Sequence, residues 1–141
     1  MSALTYSQAQ GLISAAFAAA RAKGYKPMGL VVVDAAGQIK AAAREDGATA
    51  LRIDIANGKA SAALGMGVNS RALAQRAKDL PAFMTALAAV SSQKFLPQTG
   101  AVLIQDAAGQ TIGAAGASGG TGDEDEEICI AGIAAVGLKH A

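Results

Sequence analysis

Histidine and cysteine each occur once in this chain, and tryptophan does not occur at all. A lone Cys129 closes no internal disulfide, so cross-links do not hold the fold, and the expected setting is the cytoplasm. The only histidine, His140, stands next to the C-terminus, where chain ends are usually mobile. Charge of one sign is missing too. A formal net charge of +1 lacks the basic excess that phosphate neutralisation needs, which argues against nucleic acid as a partner. No charged segment followed by an apolar one opens the sequence, and no apolar run approaches the ~20 residues of a spanning helix, so neither a secretion signal nor a membrane partner is expected. Aromatic residues make up 4% against a hydrophobic content of 52%, so alanine and aliphatic side chains must fill the core. Small side chains bury little area each, at about 25 cal/mol per Å². A thin core of this kind leans on subunit contacts, and the expectation is a homo-oligomer in which small-residue helix faces meet.

At 141 residues the chain has the length of one domain. Its most unusual stretch runs from Ile112 to Ile128, where a strand of small residues leads into a glycine-rich loop and then into five consecutive acids, Asp123 to Glu127. Upstream, Thr5 and Gln8 have the spacing of a capping box, and Ala9, Leu12, Ile13, Ala16, Phe17 and Ala20 form one helical stripe that Gly24 can close. Met28 to Val33 and Gln38 to Arg44 read as strands joined by Asp34-Ala35-Ala36-Gly37. The five residues Asp34 to Gln38 recur as Asp106 to Gln110, between Ala101–Ile104 and Thr111–Ala117. Two such hairpins imply one antiparallel sheet, although turn chemistry alone can also repeat a pentapeptide.

Between the hairpins the pattern is helical. Ala50 to Met66 carries Ile55, Ala56, Lys59, Ala63 and Met66 near one stripe; Ser70 can cap Arg71 to Lys78; and Pro81 suits the first turn of a further helix. These helices are expected on one face of the sheet. Phe95-Leu96-Pro97 reads as a short edge strand, where a proline is tolerated, and the last helix is predicted from about Asp123 to Leu138.

Four pieces of the sequence carry a resemblance. Val31 to Gln38 (VVVDAAGQ), Ala43 to Ala48 (AREDGA), Lys59-Ala60, and Ile112 to Ile128 (IGAAGASGGTGDEDEEI) fall in one order that resembles the GlcG/HbpS-like proteins, the haem-degrading domain family related to the C-terminal domain of PduO-type proteins. The resemblance covers nearly the whole chain. It implies an α+β domain of profilin-like or PAS-like form, with a central five-stranded antiparallel sheet flanked by helices and assembled into dimers or larger oligomers. Members of the family are associated with haem binding or degradation and with glycolate and diol utilisation. The chain departs from the family pattern at Gly100-Ala101, where a Gly-Gly pair is usual, and at Cys129, where alanine is frequent.

The candidate site residues follow from both readings. A glycine loop before a helix can cradle an anion, but the five acids occupy the favourable end of the helix dipole and repel a phosphate. The glycines are therefore read first as a tight turn, with Ser118 and Gly119 as ligand contacts and Gly100 as a point of close approach. Five successive carboxylates cannot all face inward. Asp125 matches the acid of the family motif and Glu126 is the second choice, while the rest are read as a solvated surface rather than a metal site. Lys59 lies among apolar neighbours and either snorkels to water or lines a pocket, where it can pair with an acid or act as a base. Arg44 presents a fork suited to a carboxylate, whether a ligand's or that of Asp46 or Asp125. Cys129 reads as a buried, inert thiol.

Two functions are carried forward. The first is a binding module for a small anionic or planar ligand, with haem the candidate that the resemblance implies. Its usual axial ligand is not evident, because His140 is terminal and no motif places Cys129, Met66, Met84 or Tyr25. The alternative is a catabolic enzyme that moves a proton on, or eliminates from, a small carboxylic acid, with Lys59 and Asp125 as acid and base and Arg44 as the anchor. A purely structural or regulatory subunit is the third reading.

Overall fold

Two copies of one turn set the sheet. In a computed structural model that describes residues 3–141, the Asp34 carboxylate accepts from the backbone of Ala36 and Gln38 at 3.0 and 3.1 Å, and the Asp106 carboxylate accepts from Ala108 and Gln110 at 3.0 and 2.9 Å. Gly37 and Gly109 complete these turns at φ of +78° and +82°, a region that costs glycine nothing. Each turn joins two strands: β1 (Gly29–Asp34) to β2 (Ile39–Arg44), and β3 (Ala101–Gln105) to β4 (Thr111–Ser118). Their chemistry is the same, and each hairpin has a register shift beside its turn. β1 then pairs antiparallel with β4, from Gly29 opposite Ser118 to Asp34 opposite Gly113.

The fifth strand, β5 (Lys139–His140), pairs with Ile104 and Gln105, which gives the order β2-β1-β4-β3-β5. This corrects the expectation that Phe95 to Pro97 form an edge strand. Those residues lie against a helix instead, with the Leu96 N–H donating to the Gly58 carbonyl at 3.1 Å. The predicted mobility of His140 gives way to the same pairing: the last helix stops at Ala135 rather than Leu138, and Gly137 at φ +75° turns the chain back to the sheet.

Among the described residues five helices complete the fold: α1 (Tyr6–Ala22), α2 (Arg52–Met66), α3 (Ser70–Asp79), α4 (Pro81–Val90) and α5 (Gly122–Ala135). They do not all lie on one face. Leu30, Val32, Val102 and Ile104 meet Leu12, Ala16, Ile128 and Ile133 of α1 and α5, whereas Val31, Val33, Ala101 and Leu103 meet Ala56, Ala60 and Ala63 of α2. Period-two alternation along β1 and β3 supplies both layers. The predicted capping box opens α1, with Thr5 and Gln8 exchanging hydrogen bonds at 3.0 Å. A second one, Thr121 with Glu124, opens α5 one residue before the predicted start. Ser70 does not cap α3. Its hydroxyl bonds both the N–H and the carbonyl of Ala101, and Asn69 accepts from Leu103, so the start of α3 covers an edge of β3. At the far end of α1, Lys23 and Tyr25 both donate to Glu127 of α5.

Close approach of α2 to β4 depends on Gly116. A Cβ there would lie 2.4 Å from the Ala56 carbonyl oxygen and 3.0 Å from the Ala60 nitrogen, both backbone atoms with little freedom to yield. Gly116→Ala is expected to destabilise the protein by about 1–3 kcal/mol through overpacking, read as a lower thermal midpoint, while Gly65→Ala, with open space at its Cβ, leaves the midpoint unchanged or raised.

Candidate functional site

The centre of the site is a buried ion pair between α2 and α5. Lys59 lies among Ala56, Ala60 and Ala63, on the stripe that packs against the sheet, and its ammonium donates to the Asp125 carboxylate at 2.9 Å and to the Ala117 carbonyl at 3.0 Å. The Thr121 capping box starts α5 so that Asp125 falls one turn inside it. The other carboxylate oxygen of Asp125 accepts from the Gly120 N–H at 3.0 Å. Residue 100 has to be glycine here: its φ is +135°, and a Cβ would meet the Lys59 ammonium at 2.7 Å. Asp125 is only 1% exposed. Burial pushes its carboxyl above the usual carboxylate range, and the charge and hydrogen bond of Lys59, the Gly120 N–H and the Arg52 charge oppose that rise without cancelling it.

The pair forms the floor of a cavity of about 680 Å³, a size typical of small-molecule sites. Ser118 lines it from the end of β4, Gly120 to Asp123 from the start of α5, and Leu96, Gln98 and Thr99 from the segment that leads into β3. Arg52 lines it from α2 and donates to the Ser118 hydroxyl at 3.2 Å. Sequence reasoning passed over Arg52, although it precedes Lys59 by seven residues, two helical turns, and so shares its face. An ammonium has three donors; two are engaged at Lys59, which leaves one for the cavity. The site thus offers a guanidinium at its rim, an ammonium already neutralised at its floor, and a hydroxyl between them.

Of the residues singled out in the sequence, Lys59, Asp125 and Ser118 line this cavity together. Gly100 lies behind the ion pair, and Gly119 lines an adjoining cavity of about 380 Å³ that shares Arg52, Gly120 and Thr121 with the first. Glu126 turns outward to Arg71 at 3.1 Å. Arg44 and Asp46 line a separate cavity of about 500 Å³ with Arg21 and Glu45, and the Arg44 guanidinium donates to the Ala48 carbonyl. Arg44 therefore shares no cavity with Lys59, and Arg52 stands where an anchoring cation was sought. Cys129 is fully buried, its thiol 3.7 Å from the Gly100 carbonyl, and burial pushes it well above the ordinary thiol value. No group of three or more histidine, cysteine or acidic side chains is arranged to hold a metal ion among the described residues.

A five-stranded antiparallel sheet with helices on both faces and a cavity at one end defines an α+β protein. The sequence matches the family described as haem degrading protein HbpS-like over residues 4–134, and the chain belongs to that family. Solved structures agree. The complex described as PduOC:Heme is 25% identical and covers 98% of each chain with a TM-score of 0.85. HbpS is 28% identical, covering 97% of this chain and 92% of its own, with a TM-score of 0.84. The fold is also that of Klebsiella pneumoniae protein ORFY, 23% identical over 94% of this chain and 90% of its own, with a TM-score of 0.83. Comparison with curated proteins gives no match.

Haem, named for one of these relatives, fits the cavity in part. Arg52 suits the carboxylates on the rim of the macrocycle. Iron is served less well, because among the described residues the cavity lining contains no histidine, cysteine, methionine or tyrosine. Of the axial candidates from the sequence, Met84 and Cys129 are buried, Met66 packs against the small cluster around Leu73, and Tyr25 lines the adjoining cavity, where its hydroxyl donates to Glu127.

Removing one partner of the central pair leaves the other buried and charged. Lys59→Met is expected to cost about 3–5 kcal/mol in denaturant unfolding, and Lys59→Met/Asp125→Asn to recover most of it, because no unpaired charge remains. The pH dependence has a defined sign. Without Lys59 the folded-state value of Asp125 rises further above its unfolded value, so the folded state holds the proton more tightly, and stability of Lys59→Met falls as pH rises from about 4 through that raised value. A variant equally stable at pH 4 and pH 7 contradicts this account.

Proposed function

We propose that the chain is a binding protein for a small carboxylate-bearing ligand held between Arg52 and the Lys59–Asp125 pair, with haem the planar candidate that its relatives suggest. The observation that supports it best is the placement of Arg52. Its side chain lines a large cavity and, among the described residues, its guanidinium donates only to a neutral hydroxyl, that of Ser118, so its charge remains available to an anion. The Lys59 ammonium below is already compensated, so it orients a ligand oxygen by hydrogen bonding rather than by net charge. Titration with haem is expected to give a Soret change that saturates near one per chain. Arg52→Gln is expected to weaken binding about ten- to a hundredfold, the span of a lost charged hydrogen bond, while Arg44→Gln, in the separate cavity, leaves it unchanged. Featureless, unsaturable binding removes haem as the ligand.

A second reading rests on Asp125. A carboxyl raised by burial, paired with a lysine and lining a cavity, is also the arrangement of an acid–base site, and with Arg52 in place of Arg44 as the anchor it supports proton transfer on, or elimination from, a small carboxylic acid. Lys59→Arg separates the two readings, because it keeps the N–H donors and the pairing with Asp125 that binding uses and removes an amine able to exchange a proton.

The proposed setting is a cytoplasmic homo-oligomer. No described helix is long and apolar enough to cross a membrane. α4 carries no charged residue and leaves Phe83 and Val90 exposed, with Leu80 just before it also open, an apolar surface suited to a second copy. Sedimentation is expected to show an assembly larger than one chain at micromolar concentration, and a stable monomer removes this part of the proposal.

A further inference from the structure

We infer that this cavity recognises the carboxylates of a planar ligand and not its metal, so that a metal-free porphyrin binds as well as haem. The inference rests on the binding reading above and concerns what the site selects. Iron in a protein needs an axial donor with a free lone pair, and the usual ones are imidazole, thiolate, thioether and phenolate. Among the described residues the lining supplies none of these, and Tyr25, which lines the adjoining cavity, keeps its phenol proton on Glu127. Its one amine, Lys59, donates to Asp125 and Ala117, and it can ligate a metal only by giving up its proton and leaving a carboxylate with 1% exposure unpaired.

The lining carboxylates and the Ser118 hydroxyl are engaged as well, and what remains open is the neutral Thr99 hydroxyl and Gln98 amide, neither a usual iron donor. Asp125 accepts from Lys59 and Gly120, Asp123 pairs with Arg71, and Ser118 accepts from Arg52. For organic carboxylates the same wall is well equipped, with the Arg52 fork and the remaining Lys59 donor directed to oxygen. His140 is exposed on β5, beside the end of β3 opposite Gly100, so within one chain it stands at the wrong end of that strand.

The test compares three ligands on the full-length protein by absorbance or fluorescence titration: haem, metal-free protoporphyrin, and haem with both axial positions filled by cyanide. All three are expected to bind with dissociation constants within about threefold of one another and to weaken together in Arg52→Gln by the ten- to a hundredfold of a lost charged hydrogen bond. Haem binding at least tenfold more tightly than the metal-free ring, or losing affinity when cyanide occupies its iron, overturns the inference while the binding reading stands. If that iron preference disappears in His140→Ala, a neighbouring chain supplies the axial donor, and the inference is overturned in the same way. Failure of every ligand to saturate overturns both the inference and the haem reading.

Discussion

A lysine and an aspartate held out of water constrain everything around them. Taking two charges into the interior costs several kcal/mol per ion unless geometry and further hydrogen bonds compensate, and each neighbour of the Lys59–Asp125 pair can be read as part of that compensation. The Ala117 carbonyl and the Gly120 N–H each take up a further valence of the pair. Gly100 has no side chain to collide with the ammonium, and Gly116 lets α2 lie close enough to β4 for Lys59 to reach across. The pair contributes little net stability by this reasoning, but it fixes how three elements meet, and that meeting shapes the cavity.

The acidic run that opens α5 gains a simple explanation from the same geometry. Its five carboxylates go to different places: Asp123 and Glu126 to Arg71, Glu124 into the Thr121 cap, Glu127 to Lys23 and Tyr25, and Asp125 inward to Lys59. Glu127 is held below the usual range by Lys23 and Tyr25, and Arg71 is held above its ordinary value by Glu126 and Asp123. What reads in one dimension as a block of like charge is in three dimensions a set of separate pairings distributed around a helix.

Much of this was legible before any coordinates. Hairpin turns depend on a few local residues, so the two Asp-Ala-Ala-Gly-Gln segments announced themselves, as did the capping box at Thr5. Lys59 stood out because an ammonium on an apolar stripe needs a partner. Asp125 could also have been chosen on periodicity, since Ile128, Cys129, Gly132 and Ile133 extend the buried stripe of α5 back to it. The failures have a common cause, which is that they depend on contacts distant in sequence. A two-residue strand such as β5 has no period to detect, Ser70 looked like a helix cap but serves the edge of β3, and Phe95 to Pro97 has strand-like composition yet docks on α2. Strand alternation leads to Arg44, whereas the helical step of seven residues from Lys59 leads to Arg52, which shares the cavity.

β4 gives the cavity only Ser118, and the strand that leads to it has almost no side chains. From Gly113 to Ala117 the strand offers only hydrogens and methyl groups, and helix or strand backbone presses on both of its glycines. A pocket is commonly reshaped by trimming or enlarging the residues that surround it, and the strand that carries Ser118 and holds Lys59 through the Ala117 carbonyl permits neither. New ligand preferences therefore arise on the other sides, from α2 through Arg52 and Ile55, from Ala74 of α3, from the start of α5 and above all from the irregular stretch Leu96 to Thr99. That stretch carries no ladder hydrogen bonds to preserve, so within this scaffold it is the natural place for related pockets to diverge while the ion pair beneath them stays the same.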